Sequence, residues 1–306
     1  MSVTNDVLYH MGGVPVHGEF TTGNVWFVDS NRGNKKSNNG KKPSTAFATL
    51  DEATNACTAN NHDIVYIMPN HAETIASATT WAPDKAGIQY IGIGLGSDAP
   101  ELSFSATSSA ITVSGANNLL RNIRFVTSVT ACVVGVVVGA DHVTFDGCTW
   151  DWDETGDDFI TMLNPTACDY TTVQNCRFIA QTVVAGNITA IQFKDSLNLV
   201  IKNNHFQGDM GTAAILSTDA AVSTSILISG NQIYNDDTDS TCGGIKITTA
   251  CTGMICDNRI AHTSAVGADD NPVIDPGSCI LFENYIAKLV DTTGIVTMAN
   301  ALATSA

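Results

Sequence analysis

The sequence predicts an all-β chain wound as a right-handed parallel β-helix, and three observations carry that prediction. A short motif returns seven times at a nearly fixed spacing. Two apolar columns inside the motif have opposite strand parity. The residue between them is, in most copies, a type that tolerates a tight bend.

The copies are LLRNIRF (119–125), VTFDGCTW (143–150), TVQNCRF (172–178), VIKNNHF (200–206), LISGNQI (227–233), MICDNRI (254–260) and CILFENYI (279–286). With Asn204 as position zero, the zero residues are Ile123, Cys148, Cys176, Asn204, Asn231, Asn258 and Asn284. Their separations are 25, 28, 28, 27, 27 and 26 residues, the mark of a solenoid. Three before zero stand Leu120, Phe145, Val173, Ile201, Ile228, Ile255 and Leu281. Two after zero stand Phe125, Trp150, Phe178, Phe206, Ile233, Ile260 and Ile286. Both columns must face inward, and a straight strand cannot bury both parities. The chain therefore bends between them. Asn122, Gly147, Asn175, Asn203 and Gly230 suit a left-handed bend; Asp257 suits it less and Glu283 does not. A 3.6-residue period is missing, which excludes helical repeats. Each copy becomes strand, bend, strand and a longer connection, with three short sheets in all. Stacked amides in the zero column are expected to bond from coil to coil, with Cys148 and Cys176 as small fillers.

Residues 1–25 carry no repeat and are expected to form an extended arm that packs on a neighbour. Residues 26–62 are expected to hold a lead-in strand, a basic loop and a capping helix over 43–59, where Ser44 and Thr45 precede an apolar-periodic run. Residues 63–290 form the β-helix, with DIVYIMP (63–69) and GIQYIGIG (87–94) as two coils ahead of the clear copies. About nine coils at roughly 4.8 Å each make a rod of about 40–45 Å. Residues 291–306 are a C-terminal cap and tail.

Composition narrows the function. The chain is 44% apolar and 14% charged, which suits a large core with short surface side chains. Its net charge of −16 argues against nucleic acid and anionic membranes as partners. The opening MSVTNDVLYHMGG lacks the basic start and apolar stretch of a secretory signal. Nine cysteines without a CxxC pair read as reduced, small apolar residues of a protein made in a cytoplasm, and no spacing suggests a metal or cofactor.

Candidate chemistry rests on carboxylates at matched offsets, since stacked coils bring equivalent residues to about 4.8 Å, near the separation used by retaining glycosidases. Asp153, Asp209 and Asp236 share the fifth position after zero, with Gln181 between the first two. They are the catalytic set if the chain is a glycan-active enzyme; as Asp residues just past strands they read first as turn formers. Arg177 and Arg259 follow the zero column without an evident carboxylate trio opposite. Trp152 is a candidate platform for a sugar, and His142, His205 and His262 read as solvated or stacked. No Ser-His-Asp spacing or phosphate loop appears.

VWFVDSNRGNKKSNNGKKPSTAFATLDEA followed by DIVYIMPNHAETI resembles the opening segment of pectate-lyase-like β-helix proteins, and the repeats extend the likeness over about 24–290. The resemblance implies the fold and leaves function open, because that fold hosts lyases, hydrolases and phage proteins. GDDFI (156–160) is similar to a Gly-Asp-Asp stretch of polygalacturonases, whose other motifs are missing. The layout also resembles β-helix proteins of tailed-phage structural regions. That likeness implies a virion protein on the capsid exterior: a decoration (cement) protein that binds the major capsid protein as a homotrimer. The partner-binding residues would be Arg32, Lys35, Lys36, Lys41 and Lys42, five of the fourteen basic residues within eleven positions. The alternative is a phage tailspike or polysaccharide depolymerase with a glycan as partner.

Overall fold

The computed structural model describes residues 21–32, 37–181, 188–218, 222–236, 243–248, 250–262, 273–290 and 295–300. The chain is a parallel β-solenoid with three sheets and very little helix. Sheets A and B each have ten strands and sheet C has seven. Each turn places one short strand in A, bends sharply, places one in B, then crosses to C.

About seven turns are complete on three sides, from Gln89–Gly92 through Ile274–Asp275. The expected nine is reached only by including a two-sided turn at each end. In the first of these, the chain after Ile75 makes a local Ser/Thr turn, with the backbone N–H groups of Ala76 and Ser77 both donating to Thr80 Oγ1. Backbone groups committed to such a turn are withdrawn from a ladder. In the last, Tyr285–Val290 is followed by an antiparallel strand, Ile295–Asn300.

The bend between A and B has positive φ in all seven copies: Asn122, Gly147, Asn175, Asn203, Gly230, Asp257 and Glu283. Asp257 and Glu283 adopt φ of 56° and 47° despite being poor residues for it. The parity change is worth that strain, because it turns both apolar columns inward. Leu120, Phe145, Val173 and Ile201 on one side and Phe125, Trp150, Phe178 and Phe206 on the other are fully buried. The four rings stack in register at centroid distances of 4.8, 4.6 and 4.9 Å. Such pairs add about 0.5–1.5 kcal/mol each beyond burial.

The helix, α1, covers only Leu50–Ala56 of the expected 43–59. Phe47 explains the shortening. Its N–H donates to the Phe27 carbonyl and its carbonyl accepts from Asp29 N–H, which holds the segment as extended chain beside the lead-in strand Val25–Val28. Helix formation starts after that tie. Thr49 Oγ1 accepts from Glu52 N–H and Glu52 Oε2 accepts from Ala48 N–H, a reciprocal cap. Leu50 and Ala53 are buried in the core.

Candidate functional site on the outer face of sheet B

The zero residue of each copy points inward at the bend, so the next residue points out. Cys176 N–H donates to Asn204 Oδ1, Asn204 N–H to Asn231 Oδ1, Asn231 N–H to Asn258 Oδ1 and Asn258 N–H to Asn284 Oδ1, at 2.9–3.1 Å. Each Asn amide also donates back to the preceding coil; Asn204 Nδ2 reaches the Val173 carbonyl at 3.0 Å. Cys148 Sγ approaches the equivalent Leu120 carbonyl at 3.4 Å, so a thiol takes the amide's place as a weak donor. All six of these side chains are buried. A second column was not seen in the sequence although its spacing of 28, 27, 28 and 28 residues was there to find. Cys168, Ser196, Ser223, Cys251 and Cys279 line the corner between sheets C and A, with Ser196 N–H donating to Ser223 Oγ.

One residue after the zero column the character changes. Strand register aligns Glu101, Arg124, Thr149, Arg177, His205, Gln232, Arg259 and Tyr285 on the outside of sheet B. Consecutive members are one strand apart, about 4.8 Å. Three of the chain's five arginines stand in this one column. Arg124 is neutralised locally: its guanidinium lies 2.8 Å from Glu101 and 3.7 Å from Asp151. Arg177 and Arg259 are exposed and have no acidic partner among the described residues. Three strand spacings, about 14 Å, separate them.

From His205 onward the column floors a cleft of about 630 Å³ whose lining includes His205, Gln232, Tyr234, Arg259 and Tyr285. Tyr234 belongs to the next outward position of the same face, in register with Gln207. Tyr234 and Tyr285 are 42% and 50% exposed, so both rings are presented to solvent rather than to the core. A smaller recess of about 360 Å³ lies toward the N-terminal end, around Asn122, Arg124, Thr149, Asp151 and Arg177. His205 is half-buried, and that burial, followed by the charge of Arg177, lowers its pKa below the ordinary 6.5. Its imidazole is therefore neutral at physiological pH and able to accept a proton. On the outer face of sheet C the aligned column reads Val137, Asn164, Gln192, Leu216, Lys246 and Asp275, with charge only in its last two members.

The other candidates fall elsewhere. Asp153, Asp209 and Asp236 each begin the connection leaving sheet B, their N–H groups donating to the carbonyls of Thr127, Gln181 and Gly208 in the preceding turns. Asp209 and Asp236 are in neighbouring turns, while Gln181 separates Asp209 from Asp153. Gln181 is itself buried and fastens the loop after Asp153 by accepting from Gly156 N–H and donating to the Glu154 carbonyl. In that loop Asp158 is buried, its Oδ2 has no partner, and burial with the nearby Asp157 charge pushes its pKa up to about 7. Trp152 is half-buried with its indole N–H shut from solvent, a poor platform for a sugar. His142 stacks on Tyr170 at 4.6 Å, and His262 is buried. In the basic loop, Arg32 pairs with Asp29 at 3.1 Å and Lys41 Nζ lies 3.3 Å from the centroid of Trp26. Lys42 is exposed; Lys35 and Lys36, like residues 1–20 of the arm, lie outside the described residues. Among the described residues no group of three or more His, Cys, Asp or Glu side chains is placed to hold a metal ion.

No protein-family model matches the chain, and no curated protein matches it. Solved structures do. A crystal structure of a pectate lyase superposes with a TM-score of 0.50 at 14% identity, covering 92% of this chain and 79% of that one. A rhamnogalacturonan lyase covers 86% of this chain and 87% of its own at 13% identity, with a TM-score of 0.42. The chain shares the parallel β-helix fold of the pectate lyase. Sequence reasoning had marked Arg177 and Arg259 singly. Gln232, Tyr234 and Tyr285 were missed, because an exposed column that varies from copy to copy carries no repeat signal of its own.

Proposed function

We propose that this chain is a glycan-active β-helix protein that holds a polysaccharide lengthwise along sheet B. The observation that carries this is the outward column from Arg124 to Tyr285, one polar or aromatic side chain per strand, with a 360 Å³ recess around Arg124 and Arg177 and a 630 Å³ cleft from His205 to Tyr285. A polysaccharide is an extended polymer with repeating groups, and a strand ladder offers repeating partners along one line. Guanidinium groups suit carboxylates by paired hydrogen bonds, and tyrosine rings suit the flat faces of sugars. The shared fold with a pectate lyase supports the class of ligand without fixing the reaction. Affinity electrophoresis in gels containing polygalacturonate, alginate or dextran tests it. Retardation by at least one glycan is expected, weakened in an Arg177→Ala/Arg259→Ala double variant; no retardation by any of a broad panel overturns it.

Capsid decoration through the arm and basic loop is the second proposal, resting on the cation cluster between Arg32 and Lys42. Co-sedimentation with assembled capsid shells tests it, and a chain that stays in the supernatant of every shell preparation ends it.

A further inference from the structure

The outer face of sheet A changes character along the rod. At the N-terminal end Phe27, Ile64 and Tyr66 form a buried cluster with Ala46, so the chain's own lead-in segment covers the face there. In mid-rod the first outward column holds Thr144 and Thr172. It then turns apolar: Val200, Leu227, Met254 and Ile280 stand in register on four successive strands. The second outward column of those strands reads Lys202, Ser229, Cys256 and Phe282. Met254, Ile280 and Phe282 are 42, 69 and 55% exposed, so nothing among the described residues covers this end.

Charge says what can cover it. The chain carries −16, so two copies repel over most of their surfaces. On these four strands Lys202 is the one charged residue in the two outward columns. Apolar, charge-depleted surface of this kind is what the centre of a protein interface uses.

We infer that the last four strands of sheet A form a self-association surface, on which a second copy docks as an antiparallel two-fold dimer. The two-fold runs along the strands, between Leu227 and Met254. It keeps position along the strand and reverses the order of coils. Val200 then meets Ile280 of the second copy, and Leu227 meets Met254. The Lys202 side chain lies across the Phe282 ring. Facing strands stay aligned, as in packed sheets. The bend residues select this register. Asp257 and Glu283 are exposed on the ridge beside the face. Here Asp257 meets Gly230 and Glu283 meets Asn203, so no two acids oppose. An axis moved to Met254 sets Asp257 against Asp257, and like charges so placed cost affinity. A two-fold along the rod sets Leu227 against Ser229 and Val200 against Lys202, which breaks the apolar column.

Four strands at about 4.8 Å by five residues at about 3.3 Å outline roughly 300 Å². Standard interfaces bury about 800 Å² per partner, so this dimer is reversible and needs high-micromolar concentration. Both sheet B faces come to the same side of the pair and stay open.

Sedimentation equilibrium from about 10 to about 500 µM brackets such an affinity. A dimer is expected. Salt screens the repulsion between the copies, so its dissociation constant should fall at least about threefold from about 0.05 to 0.5 M salt. Met254→Glu should raise it about tenfold or more, with an unchanged circular dichroism spectrum because the side chain is exposed. Register is read from a Val200→Cys/Ile280→Cys double variant. Within one chain the two thiols are three strand spacings, about 14 Å, apart. Across the dimer they face each other. A short bis-maleimide is expected to link two chains of the double variant and neither single variant. Monomer throughout, a trimer, or a dimer loosened by salt overturns the inference. Unchanged association of Met254→Glu, or cross-linking no greater in the double variant than in the singles, overturns it too.

Discussion

Two columns of side chains run the length of this rod, adjacent in sequence and opposite in every other respect. At the zero position Asn204, Asn231, Asn258 and Asn284 are buried, identical and bonded to one another. One residue later His205, Gln232, Arg259 and Tyr285 are outward, and no two are alike. The inner column repeats because each coil presents the same unsatisfied backbone groups to the next, and one side chain answers all of them. The outer column is released from that demand. What the difference teaches is where to look for chemistry in a repeat protein: at the positions facing solvent where the repetition stops.

The comparison breaks most easily from inside. Asn231→Leu strips the partner from Asn204 N–H and from the Ile201 carbonyl. With each buried unsatisfied group costing about 1–3 kcal/mol, a loss of roughly 3 kcal/mol is expected in urea denaturation. Ligand affinity of the folded fraction should be unchanged. Arg259→Ala should do the reverse. Removing a charged hydrogen-bond donor from an anionic ligand costs about 1.5–3 kcal/mol of binding, roughly tenfold or more, while the denaturation midpoint stays within about 0.5 kcal/mol of wild type. Calorimetry on the same preparations reads both.

Proton uptake separates the columns further. The amides do not titrate near neutrality, but His205 does. Its folded pKa lies below the ordinary value, so the neutral form dominates at pH 7 and charge appears only as pH falls below 6.5. On the proposed glycan-binding role, that extra cation should tighten binding of polygalacturonate, so affinity should rise on acidification. A fall in affinity on acidification would dissociate His205 from ligand binding. The smallest effect is expected from Arg124→Ala. Glu101 and Asp151 already occupy that guanidinium, so affinity should drop by less than in Arg259→Ala.

Much of the fold was legible because burial is what repeats. The apolar columns at Leu120–Ile255 and Phe125–Ile260 follow from parity alone, and the bend between them follows from their conflict. The limits were local. Nothing in PSTAFATLDEA says that Phe47 is tied to Phe27 and Asp29, so the helix was drawn too long. Nothing in ASATTW says that Thr80 collects two backbone N–H groups and denies the first turn its third side. The outer column was legible only in part, since Arg177 and Arg259 attract notice by charge whereas Gln232 and Tyr285 gain meaning only from their neighbours across the sheet. The aspartates show the converse: matched offsets placed Asp209 and Asp236 in adjacent turns, yet at the strand ends rather than in the cleft.

The corner amides also bear on how such a gene can change. Every asparagine donates to the coil before it and accepts from the same coil in the same way, so no rung is specific to its place. Duplicating or deleting one period of 27 residues between Asn204 and Asn231 would rejoin two compatible corners and leave the core column closed. The same event would shift Arg259 relative to Arg177 by one strand spacing, about 4.8 Å. The scaffold and the spacing of its outer column are thus encoded in one unit of length, and recombination can alter the second while the first stays intact.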